Sequence, residues 1–600
     1  MGLLRLRDAG KVYKSVGEVD LGPNSDEVYL HPKVKAPRVA GFLVKIFTWI
    51  LESPFLGAMA LYLLKKDNLI HRFLSFAEIQ EQPLFTPNHS WEDFQEQNVS
   101  LINPNLCPIK RVQEVVNCLP EYLESTFSDS ASQFKRRSIR DFWNAYRSGE
   151  TTPLVVAERF LSALKESDSS NPSMAFFISY NAEDIIRQAE ESTKRYEKGI
   201  PISAIDGVLV AIKDEIDCIP YPTTGGTKWL HKMRPCVEDA SCVKQLRSCG
   251  AILVGKTNMH ELGAGTSGIN PHYGATRNPY DRNKISGGSS SGSAAVVSAG
   301  LCPVALGVDG GGSVRMPAAL CGVVGLKPTS GRVSDSGIIP LNWTVGMPGI
   351  LSATIEDALI IYAAISNELP LFQPTLSQTI TDVQIAKYGK WFNDSTVDIR
   401  NCCEQALEML CKHYKWKVID VTVPEIEEMR LAHYVTLGSE CFASMAPYFT
   451  KLDYAELGWD ARVAISAYGA FSSRDYLNAQ RIRRRQMYFH MEIFKMADVI
   501  VTPTTGVTAY PLQSDALRTG ELDYINGAAL VRYSIAGNFL GLPAITVPVG
   551  YDDEGLPIGL QFIGKPWCEA TLLHIAFAMQ MLCIKRCKKP EVFYDFLKNE

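Results

Sequence analysis

SGGSSSGSAAVVSAGLCPVALGVDGGGSVRMPAALCGVVGLKPTSGR, residues Ser286 to Arg332, is where the chain concentrates glycine, serine and small apolar residues. Two clusters stand out: Gly287, Gly288, Ser289, Ser290, Ser291 and Gly292, then Gly310, Gly311, Gly312 and Ser313. Between them, AAVVSAGLCPVALG predicts a short helix ending near Gly300 and then a buried apolar strand. Glycine lacks the Cβ that holds a backbone away from a ligand, and consecutive N–H groups in such a loop can converge on one anion. The Gly310 to Ser313 pattern therefore suits an oxyanion hole with the Ser313 hydroxyl beside it as nucleophile. A flexible loop or a phosphate cradle competes with this reading. A phosphate loop, however, wants Gly-Lys-Ser/Thr after its spacer, and neither cluster supplies it.

A serine nucleophile needs a base. Upstream, VLVAIKDEID places Lys213 at the end of an apolar run, Val208 to Ile212, that reads as a buried strand. Desolvation lowers the pKa of a lysine, so a buried amine can serve as a neutral base near neutral pH. A strand-end lysine paired with Asp214 would be the better reading of this motif alone. Its occurrence together with the glycine-serine clusters shifts the balance to chemistry.

Lys213 in IKDEID, Ser289 and Ser290 in GGSSSGSA, and Ser313 in DGGGSVRMPA resemble the signature of the amidase signature family of Ser-Ser-Lys amide hydrolases. The resemblance covers roughly residues 138 to 580, and includes GAILVGKTNMHELG, TRNPYDRNKISGG, CGVVGLKPTSGRVS, VIVTPTTG and LPAITVPVGYDDEGLPIGLQFIG. It implies an α/β fold, a central mixed β-sheet covered by helices on both faces, here with an N-terminal helical extension. It also implies a mechanism: Ser313 attacks an amide, Ser289 relays its proton to a neutral Lys213, the amides of Gly310, Gly311, Gly312 and Ser313 hold the oxyanion, and water later frees the acyl group. Neither metal nor cofactor is implied. The sequence departs from the usual family pattern at Gly349-Ile350, where Gly-Pro is common. The extension, with KAPRVAGF and LLKKDN, is similar to that of plant members acting on fatty acid amides, which implies N-acylethanolamines as substrates, released as fatty acid and ethanolamine, with an end to a lipid-amide signal. The resemblance further suggests a homodimer. Three other readings remain open: an amidase of another small amide, a glutaminase-type subunit delivering ammonia for transamidation, and a docking module without activity.

Other residues near these motifs have plainer readings. Ser290 either orients the relay by hydrogen bonding or caps the following helix. Asp309 and Arg315 brace the nucleophile loop. His260 in NMHELG lacks an HExxH partner and reads as structural. Gly288-Ser-Ser-Ser-Gly292 formally satisfies GxSxG with Ser290 as nucleophile, but that elbow needs a strand just before it, and NPYDRNKIS reads as polar and turn-like. Arg481 and Arg483 to Arg485 form a basic run that reads as a solvated helix face.

The chain has 46% hydrophobic and 21% charged residues, enough to bury a sizeable interior, and its net charge of −5 gives no reason to expect nucleic acid. Fifteen scattered cysteines without CxxC spacing read as reduced thiols facing the cytosol. The first residues lack an apolar stretch long enough for a signal peptide, so secretion and glycosylation at Asn98 are not expected; MGLLRL also fails the myristoylation pattern.

Four regions follow from the chain order. Residues 1–38 are polar, with scattered Gly and Pro, and are expected to be partly mobile. Residues 39–66 set Phe42, Leu43, Ile46, Phe47, Ile50 and Leu51 on one helical stripe, break at Pro54, and resume with Phe55, Leu56, Met59, Leu63 and Leu64. Lys45, Glu52 and Pro54 argue against a span, so these helices are expected to lie in a membrane interface facing the cytosol, at the endoplasmic reticulum or plasma membrane, with Trp49, Tyr62, Lys65 and Lys66 at headgroup level. Packing on the protein's own core or on a second subunit is the alternative. Residues 67–137 read as an extension packed on the core, and 138–600 as the catalytic domain. Within it, strands at Val208 to Ile212, Ala251 to Val254 and Val304 to Gly307 alternate with helices, the rhythm of an α/β sheet.

Overall fold

The three apolar runs marked as strands lie side by side in one large sheet, the first shifted by one residue to Leu209–Lys213 and the other two extended to Ile252–Thr257 and Val304–Asp309. The computed structural model describes residues 10–31, 38–90, 96–103, 105–120, 134–367 and 371–598. In chain order the sheet's eleven strands are β1 (Phe177–Ser179), β2 (Leu209–Lys213), β3 (Ile252–Thr257), β4 (Val304–Asp309), β5 (Val324–Lys327), β6 (Met347–Ser352), β7 (Gln384–Lys387), β8 (Lys417–Asp420), β9 (Val499–Pro503), β10 (Ala544–Tyr551) and β11 (Pro557–Gly564). Their spatial order is β8-β7-β9-β11-β10-β5-β6-β4-β2-β3-β1. β2 runs parallel to both β3 and β4, and β7 parallel to both β8 and β9; the other neighbours are antiparallel. The sheet is mixed, as the sequence implied.

Every residue of β2, β3 and β4 is buried. That is why these strands read as continuous apolar runs rather than alternating ones: both faces are covered. Helices α1 (Phe42–Glu52), α2 (Leu56–Asp67), α3 (Ser291–Ser298), α4 (Arg315–Cys321), α5 (Ile355–Ile365), α6 (Ile426–Phe449), α7 (Ser473–Phe494) and α8 (Glu569–Cys583) are the ones that matter below. All residues of α3 and α4 are buried, and α5 is buried at every position except Glu356. In α3, SGSAAVVS, only small side chains occur, so the helix can lie directly on its neighbours, and its Ser293 hydroxyl donates to the Leu306 carbonyl of β4 at 3.0 Å.

α1 and α2 meet at a 106° bend around Pro54. Among the described residues no single helix is both long and apolar enough to cross a membrane, although this bent pair passes on length and composition. Val44, Thr48 and Leu51, one helical face, are buried against the protein, with the Thr48 hydroxyl on the Trp459 carbonyl at 3.2 Å and Lys65 on Asp475 at 2.6 Å. The remaining apolar surface points outward: Phe42, Leu43, Trp49, Phe55, Leu56, Met59, Tyr62 and Leu63 are 46% to 89% exposed. Leu51, which the sequence placed on the outward stripe, belongs to the inner face.

Residues 1–9 and 32–37 of the segment expected to be mobile lie outside the described residues, as do 91–95, 104 and 121–133 of the 67–137 extension. The described part, 10–31, lies on the core: Tyr13 is 2% exposed, and the Thr422 amide donates to the Leu21 carbonyl at 2.8 Å. The basic run on α7 corrects its sequence reading. Arg484 is exposed, but Arg483 and Arg485 are fully buried. Arg485 pairs with Glu425 at 2.7 Å and Glu81 at 2.6 Å and donates to the Lys14 carbonyl at 2.8 Å; Arg483 donates to the Phe85 carbonyl at 2.5 Å. These guanidiniums satisfy carbonyls of the extension and clasp it to the core, so they are not a solvated face. NPYDRNKIS likewise is more than a turn: Asp281–Ile285 pairs with Arg277–Asn278 in a two-stranded ribbon outside the central sheet.

Candidate active site

Because β2 and β4 are parallel neighbours, with Ile212 opposite Leu306, their carboxyl ends emerge on the same edge of the sheet, where open α/β sheets bind ligands. β2 ends at Lys213; β4 ends at Asp309 and runs straight into Gly310 to Val314 and α4. The first glycine-serine cluster reaches the same edge through backbone bonds, Gly288 N–H to the Thr266 carbonyl at 2.8 Å and Gly292 N–H to the Asn258 carbonyl at 2.9 Å. The Gly288–Ser289 peptide is cis.

Lys213 is fully buried, and its Nζ donates to Ser289 Oγ at 2.7 Å and to the Val308 carbonyl at 3.2 Å. Its ionic partner is Glu215 at 2.8 Å, not the Asp214 that the sequence suggested. Asp214 is engaged elsewhere, by Lys256 at 3.2 Å, by the Thr224 hydroxyl and by the Gly226 amide at 3.3 Å. β3 and the loop after β2 supply those donors, and that determines which carboxylate is left for Lys213.

Ser313 follows Gly312, whose φ of +105° and 2.6 Å approach of a would-be Cβ to Ser534 leave room for no other residue. Asp309 clasps this loop, accepting from the Gly312 amide at 2.6 Å and the Val314 amide at 3.1 Å. Arg315 in turn holds Asp309 through Nε and Nη2 at 3.1 Å each, and donates to Gln561 at 2.7 Å and Asn538 at 2.6 Å, with both members of the pair fully buried. Burial alone would raise the Asp309 carboxyl; the Arg315 guanidinium, with Lys327 and the Gly312 amide, overrides it and holds Asp309 well below the usual carboxylate range. This pair braces the loop, as its flanking position suggested.

The Gly312 amide is thus committed to Asp309, while Gly310, Gly311 and Ser313 are partly exposed to the cavity. A residue absent from the sequence reading fixes the first of them. His433, on α6, has Nε2 2.7 Å from the Gly310 carbonyl oxygen. Burial pulls the imidazole down to about 4, so the ring is neutral, and since a carbonyl only accepts, Nε2 carries the hydrogen. Ser290 stands at the start of α3 but makes no capping bond; its hydroxyl donates to the Val308 carbonyl at 3.3 Å, the carbonyl that also receives Lys213. It does not line the reaction cavity, whereas Ser289 and Ser313 do, which argues against the GxSxG elbow. His260 is buried with Nε2 3.5 Å from Asp460, and among the described residues no group of three or more His, Cys, Asp or Glu could hold a metal ion.

The cavity above these groups measures about 800 Å³, with Met316, Leu341, Leu437, Tyr468, Val531 and Ile535 as apolar walls. Arg430 and Tyr434 line it and also line two adjoining cavities, of about 980 and 610 Å³. The smaller of these reaches Leu61, Leu64 and Lys65 of α2. Arg430 is held by Glu427 in a bidentate pair at 2.8 and 2.6 Å.

A family profile described as Amidase matches residues 158–573. Proteins named fatty acid amide hydrolase from Arabidopsis thaliana and Oryza sativa subsp. indica are 46% and 45% identical to this chain, over 98% and 97% of it and 99% and 98% of their own lengths. A crystal structure described as an amidase superposes with a TM-score of 0.67 at 26% identity, covering 74% of this chain and 100% of its own.

Proposed function

The chain belongs to the amidase family, and on that premise we propose that it is a membrane-associated serine hydrolase of fatty acid amides, chiefly N-acylethanolamines. The observation that carries the reading is the 2.7 Å contact between buried Lys213 and Ser289, at the floor of an apolar cavity that Ser313 also lines. Amide hydrolysis must add a nucleophile to a resonance-stabilised carbonyl and then protonate a poor leaving group. One shuttle serves both steps. Ser313 Oγ attacks as its proton passes to Ser289 and that of Ser289 passes to Lys213; the relay then returns a proton to the departing nitrogen, and water repeats the cycle on the acyl-enzyme. Amides of the Gly310 to Ser313 loop, chiefly those not committed to Asp309, stabilise the oxyanion in a site shielded from water.

The lipid substrate is supported by the apolar walls and by the cavity that extends to α2 past Arg430 and Tyr434. The outward apolar face of α1 and α2 supports docking on a cytosol-facing bilayer, at the endoplasmic reticulum or plasma membrane, and the same helices suit a homodimer. Similarity to the plant relatives runs through the N-terminal extension, which favours a fatty amide over glutamine as substrate. The test is hydrolysis by the purified protein of a panel of N-acylethanolamines, primary fatty amides, glutamine and indole acetamide, with fatty acid and ethanolamine quantified by mass spectrometry. Turnover of glutamine alone would refute the reading, and light scattering in mild detergent that finds only monomer would remove the dimer.

A further inference from the structure

The carboxylate paired with Lys213 stands between two cavities. Glu215 is 5% exposed at its side chain and lines the reaction cavity together with Ser289 and Ser313. It also lines a separate cavity of about 350 Å³ that passes Val308 and Asn342 and reaches Asp335, Pro340 and Trp343, all exposed. Glu215 is fixed in this wall by its backbone, whose carbonyl accepts from the Ile339 amide at 2.9 Å.

We propose that Glu215 is a positioning residue for amide hydrolysis: its carboxylate aims the Lys213 amine at Ser289 and balances the positive charge that Lys213 acquires during acyl transfer. This rests on the Ser-Ser-Lys relay proposed above. As the Ser313 Oγ–carbon bond forms, the Ser313 proton moves to Ser289 Oγ and the Ser289 proton moves to Lys213 Nζ. The resulting ammonium faces a carboxylate oxygen 2.8 Å away in a site almost closed to bulk water, where opposite charges interact far more strongly than in solution. When the carbon–nitrogen bond breaks, a proton returns through Ser289 to the leaving nitrogen, Lys213 is again an amine, and no proton is gained or lost. The other groups facing Glu215 do not take over this task. Cys441 is a thiol pushed up to about 12 by burial and by Glu215 itself, Asp335 stands at the outer end of the side cavity, and Asp214 is engaged with Lys256 and Thr224.

The test is steady-state kinetics of Glu215→Gln and Glu215→Asp in the full chain from about pH 6 to pH 10, beside Ser313→Ala and Lys213→Ala. Glu215→Gln keeps the size and loses the charge. Its kcat is expected to fall by about 10- to 100-fold with KM changed less than about threefold, because the lost interaction is made only after the proton has moved. The acid limb of its pH–rate profile should move to lower pH, since an amine without its carboxylate gives up a proton more readily. Glu215→Asp should recover part of the rate and move the limb back. A Glu215→Gln protein with wild-type kcat and limb position overturns the proposal, and so does a rate loss uniform across pH, which would assign Glu215 to structure. If the Gln variant fails to fold, Glu215→Asp decides by the same two readouts. Activity retained in Ser313→Ala or Lys213→Ala would instead sink the relay itself, whatever Glu215 does.

Discussion

The imidazole of His433 stands 2.7 Å from the carbonyl oxygen of Gly310, so a helix 123 residues further along the chain sets the orientation of the first peptide in the nucleophile loop. A neutral donor is used, and it engages the Gly310 carbonyl oxygen.

His433→Ala should release that peptide while leaving Ser313, Ser289 and Lys213 in place. The expected result is a kcat lower by about 10- to 1,000-fold, up to the loss seen when one oxyanion donor is removed, with a smaller change in KM. Steady-state kinetics on a soluble short-chain amide measures it.

Acid should weaken the fold through two histidines. Burial pulls both His433 and His490 from 6.5 to about 4. Below about pH 6.5 the unfolded chain takes up protons that the folded chain refuses, so stability falls as pH drops toward about 4 and then levels off. Each histidine is worth about 3 kcal/mol across that window. Urea melts at intervals through it should show the decline, and His490→Leu should flatten part of it.

The relay makes a graded set of expectations. Ser313→Ala should abolish labelling by an active-site fluorophosphonate and hydrolysis of N-acylethanolamines. Lys213→Ala should lose most activity, with the residue rising toward alkaline pH as hydroxide replaces the base. Ser289→Ala should be severe. Ser290→Ala should cost less than about tenfold, the worth of one neutral hydrogen bond. Labelling lost in Ser290→Ala but kept in Ser313→Ala would return the elbow reading.

Arg315→Met removes the charge that balances Asp309 and strands a buried carboxylate. Breaking such a pair costs about 3 to 5 kcal/mol, which thermal unfolding would register along with loss of fluorophosphonate labelling.

For the membrane face, the informative positions are outward ones. Replacing Phe42, Trp49, Phe55 and Met59 with serine should weaken liposome binding while short-chain amide hydrolysis survives. Leu51→Ser should instead destabilise the protein, because that side chain is only 5% exposed. Unchanged liposome binding in the fourfold variant would defeat the interfacial reading.

Lys213, Ser289 and Ser313 were legible because each sits in a local pattern that physics constrains: an apolar strand ending in a charge, or a loop whose glycines admit close backbone approach. The parallel centre of the sheet was legible too, since strands covered on both faces read as unbroken apolar runs. His433 left no such trace, because a lone histidine in LAHYVTL acquires its role only when α6 reaches Gly310. Glu215 lay in plain view beside Lys213, yet Asp214 was equally placed, and donors on the loop at Thr224 to Gly226 decide between them. Arg483 and Arg485 misled for the same reason. Several of their acceptors come from the N-terminal extension, Glu81 being 404 residues from Arg485.

That last clasp bears on how the protein can be cut. Arg485 distributes one fully buried cation among Glu425 of the catalytic body and Glu81 and Lys14 of the extension. Deleting the extension to match the shorter crystallised amidase would remove two of those acceptors, together with the Tyr13 ring that covers the guanidinium. The described residues around Lys14 and Glu81 are therefore part of the same folded body as Arg485. They should melt with it in a single transition, and a gene trimmed to the family boundary should yield insoluble protein rather than a minimal enzyme.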